Sequence, residues 1–415
     1  MLVNPASSRL HASTIQIKDP GKLRKFLSPN GMYFGRGQNC FVTNGEITRI
    51  ETDSMQEAED WWNTLRDKIE NETEMPGAFG IGPLAIGSFV FDPAATKQKS
   101  VLIVPETIVG HRDGIFWLTK IGFDRVTPTL PPVQDPPEPA KNLRFEQGPL
   151  SDYQWMMEVK LARAFIRSGD AQKIVLARKT YAHSDEPFDP RWALLKLAGN
   201  YASCWNYMVD GLVGASPEML VMRSNGLTIS RILAGTIPAL EDISDENQAA
   251  RLISSSKDLH EHELAVESVV RQLKPYFQGM HVPSAPYVLR LPNVLHLASD
   301  IGGVTYPEYN VLSLARAAHP TAAVCGTPTD VAREYIATNE RMDRGRYAGP
   351  VGWIDTQGDG EWALALRCGQ VDDEDPTKMH LYAGGGIMAD SRPHSELVET
   401  ESKLNPIKSA LRENI

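Results

Sequence analysis

Short apolar runs broken by glycine and proline fill the first 125 residues, return after residue 170, and never settle into a strand–helix–strand alternation. GAFGIGPLAIGSFVFD, SVLIVPETIVG and GIFWLTKIGF are too short and too punctuated for helices and read as strands. The glycines of GIGPLAIG do not make a dinucleotide loop, because no helix start follows that strand. DYQWMMEVKLARAFIRSGD carries amphipathic helical spacing and stops at Gly169, and QKIVLARKTY follows as a strand. VGASPEMLVMRS is a turn entering another strand, and DENQAARLISSSKDLHEHELAVESVVRQLKPYF reads as one long polar helix. EWALALRCGQV and KMHLYAGGGIM are strands before a final helix. This irregular order, with no internal repeat, favours an α+β architecture over a doubly wound sheet.

One stretch interrupts the pattern. VTPTLPPVQDPPEP holds six prolines between Pro128 and Pro139 and is either a linker or an extended loop over the surface. A strand-rich portion, residues 1–145, therefore ends in a proline-rich loop at 126–140, and residues 146–415 carry the helices. A chain of 415 residues can bury one large core. Its net charge of −10 argues against nucleic acid or an anionic membrane as partner, so an anionic ligand needs a local cationic pocket or a metal ion. Cys40, Cys204, Cys325 and Cys368 form no CxxC pair, which suits buried thiols in a reducing compartment. MLVNPASSRLHAST has no apolar leader core and no window reaches membrane-span length, so the expected location is cytoplasmic.

In the final helix, SELVETESKL sets Glu396, Glu399 and Lys403 on one face, beside the apolar stripe of Leu397, Leu404, Ile407 and Leu411. Asp258 and Glu261 repeat the i, i+3 spacing in the middle helix, flanking Val266, Val269, Val270, Leu273 and Phe277. The four carboxylates are either two solvated flanks or one site for a hard cation such as Mg²⁺. HEHE is not HExxH, and zinc is disfavoured.

Lys173 opens KIVLARK on the face of Val175 and Ala177; it either snorkels to water or, desolvated, becomes a general base. Glu218 in GASPEML shares a face with Leu220 and Met222 and is either exposed or a late-titrating acid. Arg367, in register with Ala363 and Ala365, suits either bidentate carboxylate binding or a structural ion pair. Gly384 to Gly386 allow close backbone approach, or mark a bulge or tight bend.

The ordered series KIVLAR, GASPE, LAGT, SSKDLHEH, VLHLASDIGG, AHPTAAVCGTP, RYAGPVGW, GDGEWALALRC, YAGGGI and SELVETESKL resembles the chorismate-utilising enzyme family over about residues 150 to 405. Within it, KIVLAR with GASPE, RYAGPVGWIDTQGDGEW and the ending most resemble the isochorismate synthase branch. The resemblance implies a single large α+β domain of two packed β-sheets with helices outside, a monomer binding chorismate and Mg²⁺, and a product for siderophore or menaquinone synthesis. By motif, Glu261 and Glu399 resemble direct metal ligands, with Asp258 and Glu396 in support. Lys173 resembles the base that activates water for attack at C2, and Glu218 the acid that protonates the departing C4 hydroxyl. Arg367, Tyr347 and the backbone of Gly384 to Gly386 resemble a cradle for the enolpyruvyl carboxylate. His296, Gly235, Thr236, Thr321, Ala323 and Lys403 fall where relatives line the pocket.

Ala234 stands where aminodeoxychorismate synthases carry a lysine, and anthranilate-type relatives lack a lysine at position 173. Salicylate synthases share Lys173, Glu218 and the acids, and are the nearest alternative. A catalytically silent chorismate binder is the alternative from another class; loss of one of these groups would have pointed to it, and all are present.

Overall fold

Twenty-one strands join in one hydrogen-bonded network in this computed structural model, which describes residues 9–413 except 241 and 293. Most of the N-terminal stretch read above for a leader lies outside the described residues. The strand Ser100–Arg112 is the branch point. One edge pairs along its length with Asn39–Thr52; the other pairs first with Leu84–Ser88 and then with Ile115–Gly122.

From there the sheet runs out as two wings. The first passes from Asn39–Thr52 through Met32–Arg36, Trp205–Val209, Leu212–Ser216, Cys368–Val371 and Lys378–Ile387 to Lys173–His183. The second passes from Leu84–Ser88 through Pro350–Asp355, Gly360–Leu364, Met219–Ser224 and Leu227–Pro238 to Val294–Thr305. Pairing is antiparallel throughout, apart from Leu10–Ile17 beside Ile69–Thr73. Leu176, Ala177 and Tyr207 of the first wing share one buried cluster with Met219, Leu220, Ile232 and Trp362 of the second. The expected α+β domain of two packed sheets is thus two wings of one branched sheet.

Helices cover the outside. Pro393–Leu411 packs on Lys378–Ile387 and against the helices Asp152–Arg167 and Pro190–Asn200, while Ser256–Leu273 packs on Leu227–Pro238. Residues 125–140 have no regular structure and lie over the surface: Gln134 N–H donates to the Lys25 carbonyl, and Arg191 reaches the Asp135 carbonyl. Among the described residues no helix is long and apolar enough to cross a membrane.

The structure differs from expectation at three places. Met55–Arg66 is a helix inside the portion read as strands; Ser54 caps it by accepting from Glu57 N–H, and Ala58, Trp62 and Leu65 bury one face. The long middle helix is two helices, Asp245–Ile253 and Ser256–Leu273. Ser255 caps the second by accepting from Asp258 N–H, so serine capping outcompetes helix continuity in the SSS run. Finally, Arg367 does not sit in strand register with Ala363. The strand Gly360–Leu364 ends before it, and Arg367 takes a left-handed backbone with φ of 51°. For a non-glycine residue that is a strained position, and it points to function.

Candidate active site

A pocket opens between the wings. Val175, Ala383 and Gly384 to Gly386 line it from the first wing, and Leu233, Ala234, Thr236 and His296 from the second. Lys403 and Glu261 close it from the helices, and Glu218, Ala323, Tyr347 and Arg367 from connecting segments. Ten of the expected site residues meet there. Lys173 lies directly behind Gly386, while Asp258, Glu396 and Glu399 stand just outside the lining. Gly235 supplies the left-handed bulge, φ 76°, that turns Thr236 inward. Thr321 is buried but does not line the pocket; its neighbours Ala323 and Val324 do.

Lys173 is buried with 1 % of its side chain exposed, so the snorkelling reading fails. Its Nζ lies 2.9 Å from Glu261 Oε1 and has no well-directed hydrogen bond among the described residues. The triple glycine makes this pair possible. A Cβ on Gly386 would come within 2.5 Å of Glu261 Oε1 and 2.8 Å of Lys173 Cε. The strand Lys378–Ile387 pairs with Lys173–His183 without a register shift, so the glycines mark close approach and not a bulge.

Glu218 sits in the turn between Leu212–Ser216 and Met219–Ser224, where Ser216 Oγ donates to its carbonyl. Burial pushes its carboxyl up to about 8, against the opposing pull of Lys173 and a backbone N–H from Leu233. It therefore holds a proton at neutral pH.

Arg367 is buried without a carboxylate. Its Nη2 donates to His296 Nε2 at 2.7 Å, and Nη1 has no hydrogen-bond partner among the described residues. Because His296 Nε2 accepts, the imidazole proton resides on Nδ1 and is donated to Thr236 Oγ1 at 2.9 Å. Burial, with the charges of Arg367 and Lys403, holds the His296 pKa well below its ordinary value, keeping the ring neutral. Thr236 and His296 thus orient a guanidinium whose remaining edge faces the pocket. Tyr347 stands opposite, stacked on Tyr382 with ring centroids 5.1 Å apart. Tyr382 was missed in the sequence, although its strand position two residues before Gly384 places it on the same face.

The acids are each engaged separately. Glu261 pairs with Lys173, Glu399 with Lys403 at 2.7 Å, Glu396 with Lys257 at 3.4 Å, and Asp258 with the Ser255 hydroxyl. Among the described residues no three such side chains are grouped so as to hold a metal ion as they stand. Burial and the nearby Glu399 push Glu396 up to about 7, and burial also raises Asp258. For Glu261 burial alone would raise the pKa, but Lys173 and the other lysines bring it below the ordinary value. Crowded oxygen donors that repel one another in a buried place fit a hard cation.

A larger cavity, about 650 Å³, lies near Met32, Arg49, Phe188 and Met208. Its arginine is already bound by Glu46, Glu51 and Asp210.

A family model for chorismate binding enzymes matches residues 29–412. The chain belongs to the chorismate-binding enzyme family. Among relatives, the isochorismate synthase DhbC of Bacillus subtilis is 36% identical over 350 residues, covering 79% of this chain and 81% of that protein. The isochorismate synthase EntC of Escherichia coli is 31% identical over 388 residues, 91% of this chain and 94% of that one. The menaquinone-specific isochorismate synthase MenF of Escherichia coli shares the fold, with a TM-score of 0.80 at 24% identity, covering 98% of this chain and 95% of that one. Within a chorismate-binding enzyme, Ala234 leaves open the part of the pocket wall that a lysine would occupy.

Proposed function

We propose that this chorismate-binding enzyme is an Mg²⁺-dependent isochorismate synthase, an isomerase that adds water at C2 of chorismate as the C4 hydroxyl leaves. The observation that carries the reading is the pairing of two buried groups of opposite role at one pocket. Lys173 is buried beside Val175 on one wing, and Glu218, its carboxyl raised to about 8, opens the other.

As general base, Lys173 takes a proton from water as that water's oxygen bonds to C2. Both ring double bonds shift, C1=C2 to C1=C6 and C5=C6 to C4=C5, the C4–O bond breaks, and Glu218 gives its proton to the departing hydroxyl. One water enters and one leaves. Arg367, backed by neutral His296, binds the enolpyruvyl carboxylate with Tyr347, and the Gly384 to Gly386 backbone lets the ring approach. Asp258, Glu261, Glu396 and Glu399 would hold Mg²⁺, which when bound supplies positive charge for the ring carboxylate.

Incubation with chorismate, with Mg²⁺ or with EDTA, and NMR of the products tests this. Isochorismate in equilibrium with chorismate, lost in EDTA, is expected. Salicylate plus pyruvate would replace the reading with a salicylate synthase. Binding of chorismate without conversion would replace it with a silent binder.

A further inference from the structure

Lys257 has no part in that acid–base scheme, yet it stands in the acidic site. It lies in the first turn of Ser256–Leu273, one residue before Asp258 and four before Glu261. Its Nζ reaches 3.4 Å from Glu396 Oε1 on the other acid-bearing helix. The two partners differ in solvent contact: 36% of the Lys257 side chain is exposed, against 3% for Glu396. The ammonium also faces the charges of Glu261, Glu399 and Asp390. It therefore covers the carboxyls from the solvent side and ties together the two helices that carry them.

The other two lysines of the cluster are held differently. Lys173 is buried behind Gly386, and Lys403 donates to the Gly384 carbonyl at 2.9 Å as well as to Glu399. Neither can leave without exposing a buried charge or breaking a backbone bond. Lys257 can swing into water at little cost, because its stem is flexible and its side chain is already partly exposed. The pocket itself, lined by Lys403 alone of the three, measures about 70 Å³, against about 300 Å³ for the smaller ligand pockets.

We propose that Lys257 is a built-in counter-ion which the divalent cation displaces, and that it sets the cation affinity of the site. The proposal rests on the Mg²⁺ reading above. Its ammonium neutralises the carboxyls of the cation-free protein, and its attraction to Glu396 is subtracted from the binding of Mg²⁺.

The test is calorimetric titration of Mg²⁺ into EDTA-stripped wild type, Lys257→Gln and Lys257→Arg, with melting temperatures recorded in EDTA and in saturating Mg²⁺. Lys257→Gln is expected to bind Mg²⁺ about tenfold more tightly, since one opposing charge is gone. Lys257→Arg, which keeps that charge, should stay within about twofold of wild type. Lys257→Gln should melt below wild type in EDTA and recover in Mg²⁺, as the cation replaces the missing ammonium. An unchanged or weaker Mg²⁺ affinity in Lys257→Gln would overturn the proposal. A melting deficit of equal size in EDTA and in Mg²⁺ would make Lys257 a structural brace and overturn it as well. Wild type that takes up no Mg²⁺ would overturn the metal reading and this inference together.

Discussion

Two buried charge clusters lie within one strand of each other, and only one of them is finished. Around Glu340 and Arg344 every polar group has a partner: Arg344 bonds both Glu340 oxygens, the Val324 carbonyl and the Val175 carbonyl, and Glu340 accepts from Ala177 N–H. Around Lys173 the arrangement is incomplete. Lys173 Nζ and Arg367 Nη1 lack hydrogen-bond partners among the described residues, and Glu396 and Glu399 repel each other. A satisfied network holds a fold in one geometry, whereas an unsatisfied one keeps binding capacity for a ligand. The first cluster braces the strand that presents the second.

That contrast can be broken by mutation, beginning with the largest effect. Lys173→Gln removes the base and keeps the volume; turnover should fall at least about 10³-fold while circular dichroism shows the fold retained. Near-normal turnover would remove Lys173 from the chemistry. Arg344→Ala should do the reverse, costing about 3–5 kcal/mol of stability by leaving Glu340 charged and unpaired. Denaturant unfolding measures it, and a loss below about 1 kcal/mol would mean that the brace is not one.

Glu218 sharpens the comparison through pH. Its carboxyl titrates near 8 when folded and at an ordinary 4.5 when unfolded. The stability tied to that proton is complete below 4.5 and is lost as pH rises to about 8. Glu218→Gln removes the titration, so its stability advantage over wild type should grow across that window, by a few kcal/mol at most, and level off above it. The variant should also be inactive, while wild-type kcat/KM should fall as pH rises through about 8. A stability difference independent of pH would show that Glu218 is not a buried acid. Smallest in free energy is Glu399→Gln, expected to weaken Mg²⁺ binding about tenfold by removing one charged oxygen; an unchanged titration would exclude Glu399 as a ligand.

Much of the site could be read before the fold was known, because strand alternation and helical spacing are local. Alternation put Lys173 beside Val175, and the i, i+3 acids emerged from two helix faces. Arg367 was the right residue for the wrong reason: it reaches the pocket through a left-handed kink, not through strand register. That kink lies where the neighbouring backbone is held by non-local bonds, with Leu364 N–H donating to the Glu218 carbonyl and Ala365 N–H to that of Gly349. The helix Met55–Arg66 had a readable signal, serine followed three residues later by Glu57, obscured by the strands around it. Lys257 could not have been found at all, since its partner Glu396 is 139 residues away.

The most direct test of the account is to run the reaction with chorismate in ¹⁸O-labelled water and locate the label by mass spectrometry and ¹³C NMR. Attack by water that Lys173 activates predicts one ¹⁸O in the C2 hydroxyl of isochorismate and loss of the original C4 oxygen to solvent. Isochorismate free of label, its C2 oxygen inherited from C4, would contradict the assignment of Lys173 as base and Glu218 as acid.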